Sequence, residues 1–268
     1  MAKQLIAQPL PNFGVNGLNT QSNPNSLDPS YLTSADNIVL RESGRISFRK
    51  GLKQKVVPSG TAINSIVEHN DQGTNKIFAS HGTSIYTIDF TSPNAAFPSS
   101  GADVKHTVAN STGDWQFVNF NNRLTCLHTG IVPQRYDGSA SAGSMWAAFD
   151  NATRPPTVST GEFKPSCGAG TYGRMWVGGV AEEKDVLHYS ALLDSDDYTT
   201  SSGGGSIDLK RVWDKDDIIA IAPFYGQLAV FGKNNIALYE SPDVIGNIKL
   251  NEVIKGIGCI ARDSVQAI

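Results

Sequence analysis

The sequence predicts an all-β fold: a β-propeller-like array of about four antiparallel blades, preceded by an extended N-terminal arm and a hairpin. Three observations predict it: a turn-rich composition, a recurring two-strand unit and a regularly spaced tyrosine. The 268 residues include 26 Gly and 13 Pro with only 18% charged residues, a profile foreign to coiled coils, helical bundles and disordered chains. The length suffices for one large all-β domain with a sizeable core. From residue 61 onward, a short apolar run, one or more Gly and a second strand bearing a Tyr recur four times, placing Tyr86, Tyr136, Tyr189 and Tyr239 at intervals of 50, 53 and 50. Antiparallel strands repeating at roughly 50 residues are the signature of propeller blades, because one blade cannot bury both faces alone.

The arm comes first. Residues 9–29 are rich in Asn, Pro, Gly and Ser and lack apolar periodicity, which predicts an extended segment without its own core. Two β-prone runs, 37–41 and 46–49, flank Glu42-Ser43-Gly44-Arg45 and read as a hairpin. Between residues 41 and 55, Arg41, Arg45, Arg49, Lys50, Lys53 and Lys55 face only Glu42, a local net charge of +5. A solvated hairpin is the plain reading of such a cluster, and a contact with a partner or with DNA is the functional one. The arm and hairpin are assigned to residues 1–60.

The blades are expected at about 61–110, 111–160, 161–210 and 211–256. Their hairpins are carried by Lys76-Ile77-Phe78-Ala79, Arg123-Leu124-Thr125-Cys126-Leu127, Arg174-Met175-Trp176-Val177 and Gln227-Leu228-Ala229-Val230-Phe231. A preceding strand is expected at 63–67, 115–120, 165–172 and 217–222, and fourth strands at 104–108, 157–160 and 207–209. The recurring Tyr reads as inter-blade packing. Residues 263–268 align with 217–222 at an offset of 46, so 257–268 reads as the start of a further blade. A propeller ending there would leave an open apolar edge, to be closed by assembly or by more chain.

Little in the sequence points to catalysis. His69, His81, His106, His128 and His188 are scattered without metal-ligand spacing. The acidic pairs Glu182-Glu183, Asp196-Asp197 and Asp216-Asp217 read as solvated loop charge. No nucleophile elbow, phosphate-binding loop or dinucleotide fingerprint occurs, and Ser202-Gly203-Gly204-Gly205-Ser206 reads as a flexible loop. No catalytic, metal or cofactor residue is therefore assigned. Cys126, Cys167 and Cys259 are odd in number and widely spaced, which suits inert thiols and a reducing compartment. The net charge of −3 gives no overall attraction to nucleic acid or anionic membrane. The apolar stretch 218–231 is short and interrupted by Pro223, Gly226 and Gln227, so no membrane insertion is expected, and residues 1–9 lack the apolar run of a secretory signal.

Several stretches carry a family likeness: Gly14-Val15-Asn16-Gly17-Leu18-Asn19, Leu27-Asp28-Pro29, Ser34-Ala35-Asp36-Asn37-Ile38-Val39, Arg45, and Arg49-Lys50-Gly51-Leu52-Lys53. With the blade segments and Ile257-Gly258-Cys259-Ile260-Ala261-Arg262-Asp263-Ser264-Val265, they make the chain resemble the tail nozzle or tail tubular proteins of short-tailed bacteriophages. The family is usually longer. The resemblance implies a non-enzymatic structural protein of the virion tail, assembled in the bacterial host cytoplasm. Its copies would form a ring homo-oligomer that contacts adaptor or connector proteins and tail fibres, with double-stranded DNA in transit through the channel during genome ejection. Arg41, Arg45, Arg49, Lys50 and Lys53 are then the candidate subunit or adaptor contacts. Two other readings stand beside it: a generic β-propeller protein-interaction module, and a carbohydrate-active propeller enzyme with clustered carboxylates.

Overall fold

The computed structural model describes residues 14–40, 46–49, 56–58, 63–88, 95–97, 104–107, 115–140, 145–213 and 215–266. The chain divides into two compact units, residues 1–54 and 55–268.

In the first unit, the stretch expected to run extended doubles back on itself. Asn16 N–H donates to Ser30 O at 2.9 Å, and Leu32 N–H donates to Gly17 O at 2.8 Å. Leu18 and Leu32 form a parallel bridge. Leu32 is buried in this loop, against the backbone of Gly14. The turn at its far side is set by Asn23, whose side chain accepts from Asn25 N–H beside Pro24. The hairpin then forms from β1 (Ile38–Leu40) and β2 (Ile46–Phe48), with Ile38 opposite Phe48 and Leu40 opposite Ile46.

The second unit contains β3 (Val56–Pro58), β4 (Ser65–Asp71), β5 (Thr74–His81), β6 (Ser84–Thr87), β7 (Ala95–Phe97) and β8 (Val104–Thr107). Then come β9 (Gln116–Phe120), β10 (Arg123–Leu127), β11 (Gln134–Asp137) and β12 (Trp146–Ala148), followed by β13 (Cys167–Thr171), β14 (Arg174–Gly178), β15 (Val186–Tyr189) and β16 (Gly205–Asp208). The last group is β17 (Ile218–Phe224), β18 (Gln227–Gly232), β19 (Asn235–Glu240) and β20 (Lys249–Lys255). Among the described residues these make four consecutive four-stranded antiparallel sheets: β4-β5-β6-β8, β9 to β12, β13 to β16, and β17 to β20. β7 leaves the first meander to pair in parallel with β3.

One turn type starts every sheet. The two residues joining first and second strands are Gln72-Gly73, Asn121-Asn122, Tyr172-Gly173 and Tyr225-Gly226, and all eight have positive φ. Two successive left-handed residues make the type I′ turn, whose twist matches that of the flanking strands. Gly serves the second position in the first, third and fourth sheets and Asn122 in the second, the two residue types that bear this conformation best.

The sheets pack through their first strands, with β4 beside β9, β9 beside β13, and β13 beside β17. Each sheet thus has a backward face toward its predecessor and a forward face toward its successor. Phe78 and Ile85 meet Trp115, Leu124, Cys126 and Tyr136 between the first and second sheets. Val118, Phe120 and Leu127 meet Met175 and Val177 between the second and third. Trp176 and Leu187 meet Ile221, Leu228, Val230 and Tyr239 between the third and fourth. Full burial of each such side chain contributes about 1.5–3 kcal/mol. β13 approaches β9 closely enough to need glycine, since a Cβ on Gly170 would lie 2.8 Å from Phe120 Cβ, and one on Gly168 would lie 2.7 Å from Leu127 Cδ1. The fold is therefore all-β, with stacked antiparallel sheets in a propeller-like series.

Within the second unit, four expectations about strands, loops and facing direction change. The fourth strand of the second sheet is β12, and residues 157–160 form turns. They follow Pro155 and Pro156, and Val158 is buried from a loop among Phe149, Phe163 and Tyr198. The glycine-rich segment is ordered by structure on both sides: Thr200–Ser202 is a 3-10 turn, and Gly205-Ser206 opens β16. Residues 256–266 hold no strand: Arg262–Ser264 is a 3-10 turn where a further blade was expected to begin, and residues 267–268 lie outside the described residues.

The fourth change concerns the tyrosines. Tyr86, Tyr136 and Tyr239 lie opposite Ala79, Leu124 and Leu228 on third strands, and all three face backward. Tyr189 lies opposite Trp176 and faces forward, against the cluster that holds Ile218 and Leu228. The backward position in the third sheet belongs to Ser190, whose N–H donates to Met175 O and whose Oγ accepts from Met175 N–H, each at 2.9 Å. A one-residue slip moves a side chain to the opposite face of a sheet, and the 53-residue interval before Tyr189 conceals that slip.

Candidate functional site

Of the five cations assigned from sequence as partner contacts, Arg41, Arg45, Lys50 and Lys53 lie outside the described residues. Arg49 is exposed at the end of β2, and its N–H donates to Asn37 O at 2.7 Å. Positive φ at Asn37 starts this hairpin. An exposed arginine of this kind can pair with a carboxylate or phosphate.

The densest polar chemistry lies between the first and second sheets, at the end bearing the I′ turns. Asp71, at the last position of β4, is buried, and its Oδ2 accepts from the Tyr136 hydroxyl at 2.8 Å. Lys76 Nζ donates to the same oxygen and, at 2.8 Å, to Tyr136 Oη. The hydrogen bond from Lys76 holds the Asp71 carboxyl below its ordinary range against the opposing effect of burial, and Asp71 in turn raises Lys76. His69, two residues earlier on the same face, is buried with Nδ1 2.7 Å from Asn119 Oδ1, and packs edge-on to Tyr136. Asn119 Nδ2 completes the tie by donating to Glu68 O at 2.9 Å.

A second cluster joins the second and third sheets. Arg123 follows the Asn121-Asn122 turn directly, so its side chain leaves β10 on the forward face. Its Nε donates to Asp137 Oδ2 at 3.1 Å, and one terminal nitrogen spans Asp194 and Asp196 at 3.3 and 3.0 Å. Arg135 reaches Asp196 Oδ2 at 3.0 Å. Three carboxylates thus share two guanidinium groups. Burial, reinforced by Asp194, raises Asp196 to about 6, while the hydrogen bond from Asp196 lowers Asp194. Hydrogen bonds from Ser139 lower Asp137, with the two arginines assisting.

Between these clusters lies a cleft of about 490 Å³, lined by Glu68, His69, Asn70, Asn75, Asn119, Asn121, Asn122 and Arg123 among others. Its amides are largely engaged with one another: Asn70 Nδ2 donates to Asn75 Oδ1 at 2.9 Å and Asn75 Nδ2 to Glu68 Oε1 at 2.7 Å. Chemically the cleft is a hydrogen-bonded brace pinning the turn of one sheet to that of the next. A smaller cleft of about 390 Å³ lies between the third and fourth sheets, bordered by Lys184, Asp185, Lys210, Asp216 and Asp217.

One member of each acidic pair read as solvated loop charge is placed differently by the structure. Asp216 is buried, and it accepts from Lys233 N–H, Asn234 N–H and Asn235 Nδ2 at 2.9, 2.7 and 2.9 Å, so it caps the β18–β19 turn. Asp196 is held by arginines, as above. Glu183 accepts from Thr157 Oγ1 at 3.0 Å, and its Oε2 lies 3.2 Å from His188 Nε2 without hydrogen-bond alignment. Burial depresses His188 to about 4, so it is neutral at pH 7. His128 is buried and accepts from Gly130 N–H at 3.0 Å, whereas the side chains of His81 and His106 lie outside the described residues. Cys126, Cys167 and Cys259 are buried and form no disulfide.

Sequence reading did not single out Arg123, Arg135, Asp194 or the Asp71–Lys76–Tyr136 group. A usable signal is the arginine directly after an I′ turn, which recurs in Arg174, whose Nη1 donates to Gly203 O at 2.7 Å. Among the described residues no three His, Cys, Asp or Glu side chains gather as a metal site, and no helix is long and apolar enough to cross a membrane.

No family model matches the chain, and no curated protein matches it. Among solved structures, the extracellular domain of BT4673 from B. thetaiotaomicron is similar at 14% identity and a TM-score of 0.47, over 78% of this chain and 23% of that one. PorZ, a surface component of the type-IX secretion system of Porphyromonas gingivalis, is similar at 12% identity and a TM-score of 0.39, over 82% and 24%. YCF48 bound to D1 peptide gives 11% and 0.37, over 69% and 52%. The chain therefore spans about a quarter of the first of these and about half of the last.

Proposed function

We propose that this chain is a structural protein of a phage tail, part of the nozzle or tube through which the genome is ejected, and not an enzyme. The fold we assign to it is a β-propeller of about four blades. The observation that carries the reading is the serial stacking of β4, β9, β13 and β17, with a side-chain core at each junction. Such an array spreads load over several packed interfaces, as a tube wall under genome pressure requires. The N-terminal resemblance motifs and the +5 segment at 41–55 supply the natural contacts with neighbouring copies, the adaptor and the fibres. A net charge of −3 suits passing DNA, since cationic phosphate contacts would slow it.

The test is peptide mass spectrometry on virus particles banded in a density gradient from a culture carrying this gene. The reading expects these peptides in intact particles at a steady few copies per capsid. Peptides confined to the soluble host fraction overturn it. A protein-interaction module is the second reading, favoured by Leu192, Leu193 and Tyr225 at the turn-bearing end, exposed at 59%, 57% and 93%. That outcome leaves the peptides in the host fraction, bound to a host partner.

A further inference from the structure

The cleft of about 490 Å³ between the first and second sheets carries more polar groups than its brace uses. Small-molecule sites usually enclose about 300–1,000 Å³, so the size suits a ligand. Asn70, Asn75 and Asn119 are spent on the brace. Asn122 is not. The second residue of the I′ turn is Gly73, Gly173 and Gly226 in the other three sheets, and only the second sheet puts a side chain there. Gly holds a left-handed backbone with the least strain, so the turn itself does not require asparagine. The Asn122 amide lines the cleft, exposed, and hydrogen-bonds no described residue.

Three neighbours keep open acceptors. Glu68, exposed on β4, receives Asn75 at Oε1 and leaves Oε2 free. Asn121 donates its Nδ2 to Leu193 O and leaves Oδ1 free. Because Asn119 Nδ2 donates to Glu68 O, its Oδ1 is the acceptor that meets His69 Nδ1. In the neutral imidazole Nδ1 then carries the proton, and Nε2, buried without a partner, is an acceptor.

The open set is therefore rich in acceptors, with one amide that can also donate. A phosphate offers acceptors alone and would face Glu68, while the charge of Arg123, the one arginine or lysine on the lining, is taken up by Asp137, Asp194 and Asp196. A hydroxyl donates and accepts at a single atom, and its bond to a carboxylate is short and strong. Several hydroxyls on a compact neutral frame describe a sugar. We propose that this cleft binds a neutral glycan, with Glu68 and the Asn121-Asn122 turn bonding adjacent sugar hydroxyls. Glu68 is the one carboxylate on the lining, and glycoside hydrolysis needs a pair, so the role is binding without cleavage. The site goes beyond the tail reading and does not depend on it.

The test titrates maltotriose, cellotriose and triacetylchitotriose into the full chain, with sialyllactose as the anionic probe and triglucosamine as the cationic one, read by saturation-transfer NMR. Wild type should bind at least one neutral trisaccharide with a Kd on the order of 1 mM and return it intact. Asn122→Gly gives the turn the residue found in the other three sheets, so it removes the amide without straining the fold. It should weaken binding about fivefold to tenfold. Glu68→Gln removes the charge and should weaken it about tenfold or more. Asn251→Ala, exposed on β20, should bind like wild type. Circular dichroism spectra matching wild type establish that the variants fold. No binding of any neutral trisaccharide, tighter binding of sialyllactose or triglucosamine, cleavage of the sugar, or an Asn122→Gly variant that binds like wild type would each overturn the proposal. The tail reading is decided by particle composition, so the two fail separately.

Discussion

The side-chain amide of Gln116 uses both ends on the backbone of a single residue in the next sheet, accepting from Gly168 N–H at 2.8 Å and donating to Gly168 O at 3.1 Å. It behaves as a surrogate strand at the junction of β9 and β13, where the facing residue must be glycine for the approach to occur. Gln116→Leu would strand both Gly168 groups against an apolar neighbour. The expected loss is about 1–3 kcal/mol, read as a lower urea midpoint at unchanged m-value. Gly168→Ala should cost a similar amount, about 1–3 kcal/mol, by overpacking Leu127. Wild-type midpoints for both variants would mean the junction is looser than described.

The tyrosines offer a paired comparison. Tyr136→Phe removes the hydroxyl that bridges Asp71 and Lys76. Hydrogen bonds to charged groups are worth about 1.5–3 kcal/mol, so this variant should be destabilised on that scale. Tyr189 faces the opposite way and lies outside that ion pair, and Tyr189→Phe should stay within about 0.5 kcal/mol of wild type. Equal losses in the two variants would contradict the register assignment.

That comparison also marks where the sequence stops being informative. Strand existence was legible because apolar runs and turn residues alternate at regular intervals. The first strands at 218–224 and 167–171 and the hairpin at Ile38–Leu40 and Ile46–Phe48 fall close to their expected places. Facing direction was not legible, because a shift of one residue leaves the spacing of Tyr189 almost regular while reversing its side. The looped arm was missed because it is held by backbone hydrogen bonds around Leu32, with no periodic pattern. Inter-sheet ion clusters such as Arg123 with Asp194 join residues some seventy positions apart, and no local motif encodes them.

Stability should depend on pH through Asp196. Its folded value of about 6 lies above the ordinary aspartate range, so the folded state binds the proton more tightly than the unfolded chain. Stability from this group therefore falls as pH rises through about 4 to 6, then levels off. Asp71, Asp137 and Asp194 are shifted downward and act oppositely: their contribution is present above about pH 4 and is lost below it. Thermal melts should thus show a shallow maximum near pH 4–5, and Asp196→Asn should flatten the decline on its alkaline side. A variant profile parallel to wild type between pH 4 and 6.5 would remove Asp196 as the cause.

The thiols should report folding. Burial pushes the Cys167 thiol up to about 12 and Cys126 well above its ordinary value, and Cys259 is buried with Sγ donating to Ala261 O at 3.0 Å. An aromatic disulfide reagent at pH 8 should react slowly with native protein and rapidly with all three thiols in denaturant. Rapid native labelling of Cys126 or Cys167 would contradict the packing between the second and third sheets and their neighbours.

The most direct measurement of the central claim is a cryo-electron reconstruction of the tail of particles produced by a culture carrying this sequence. The account predicts density around the tail axis that accepts four consecutive four-stranded sheets, stacked first strand to first strand, with the hairpin at β1 and β2 touching a neighbouring subunit or the adaptor. A tail whose density is fully accounted for by other chains, with no such stack, would contradict it.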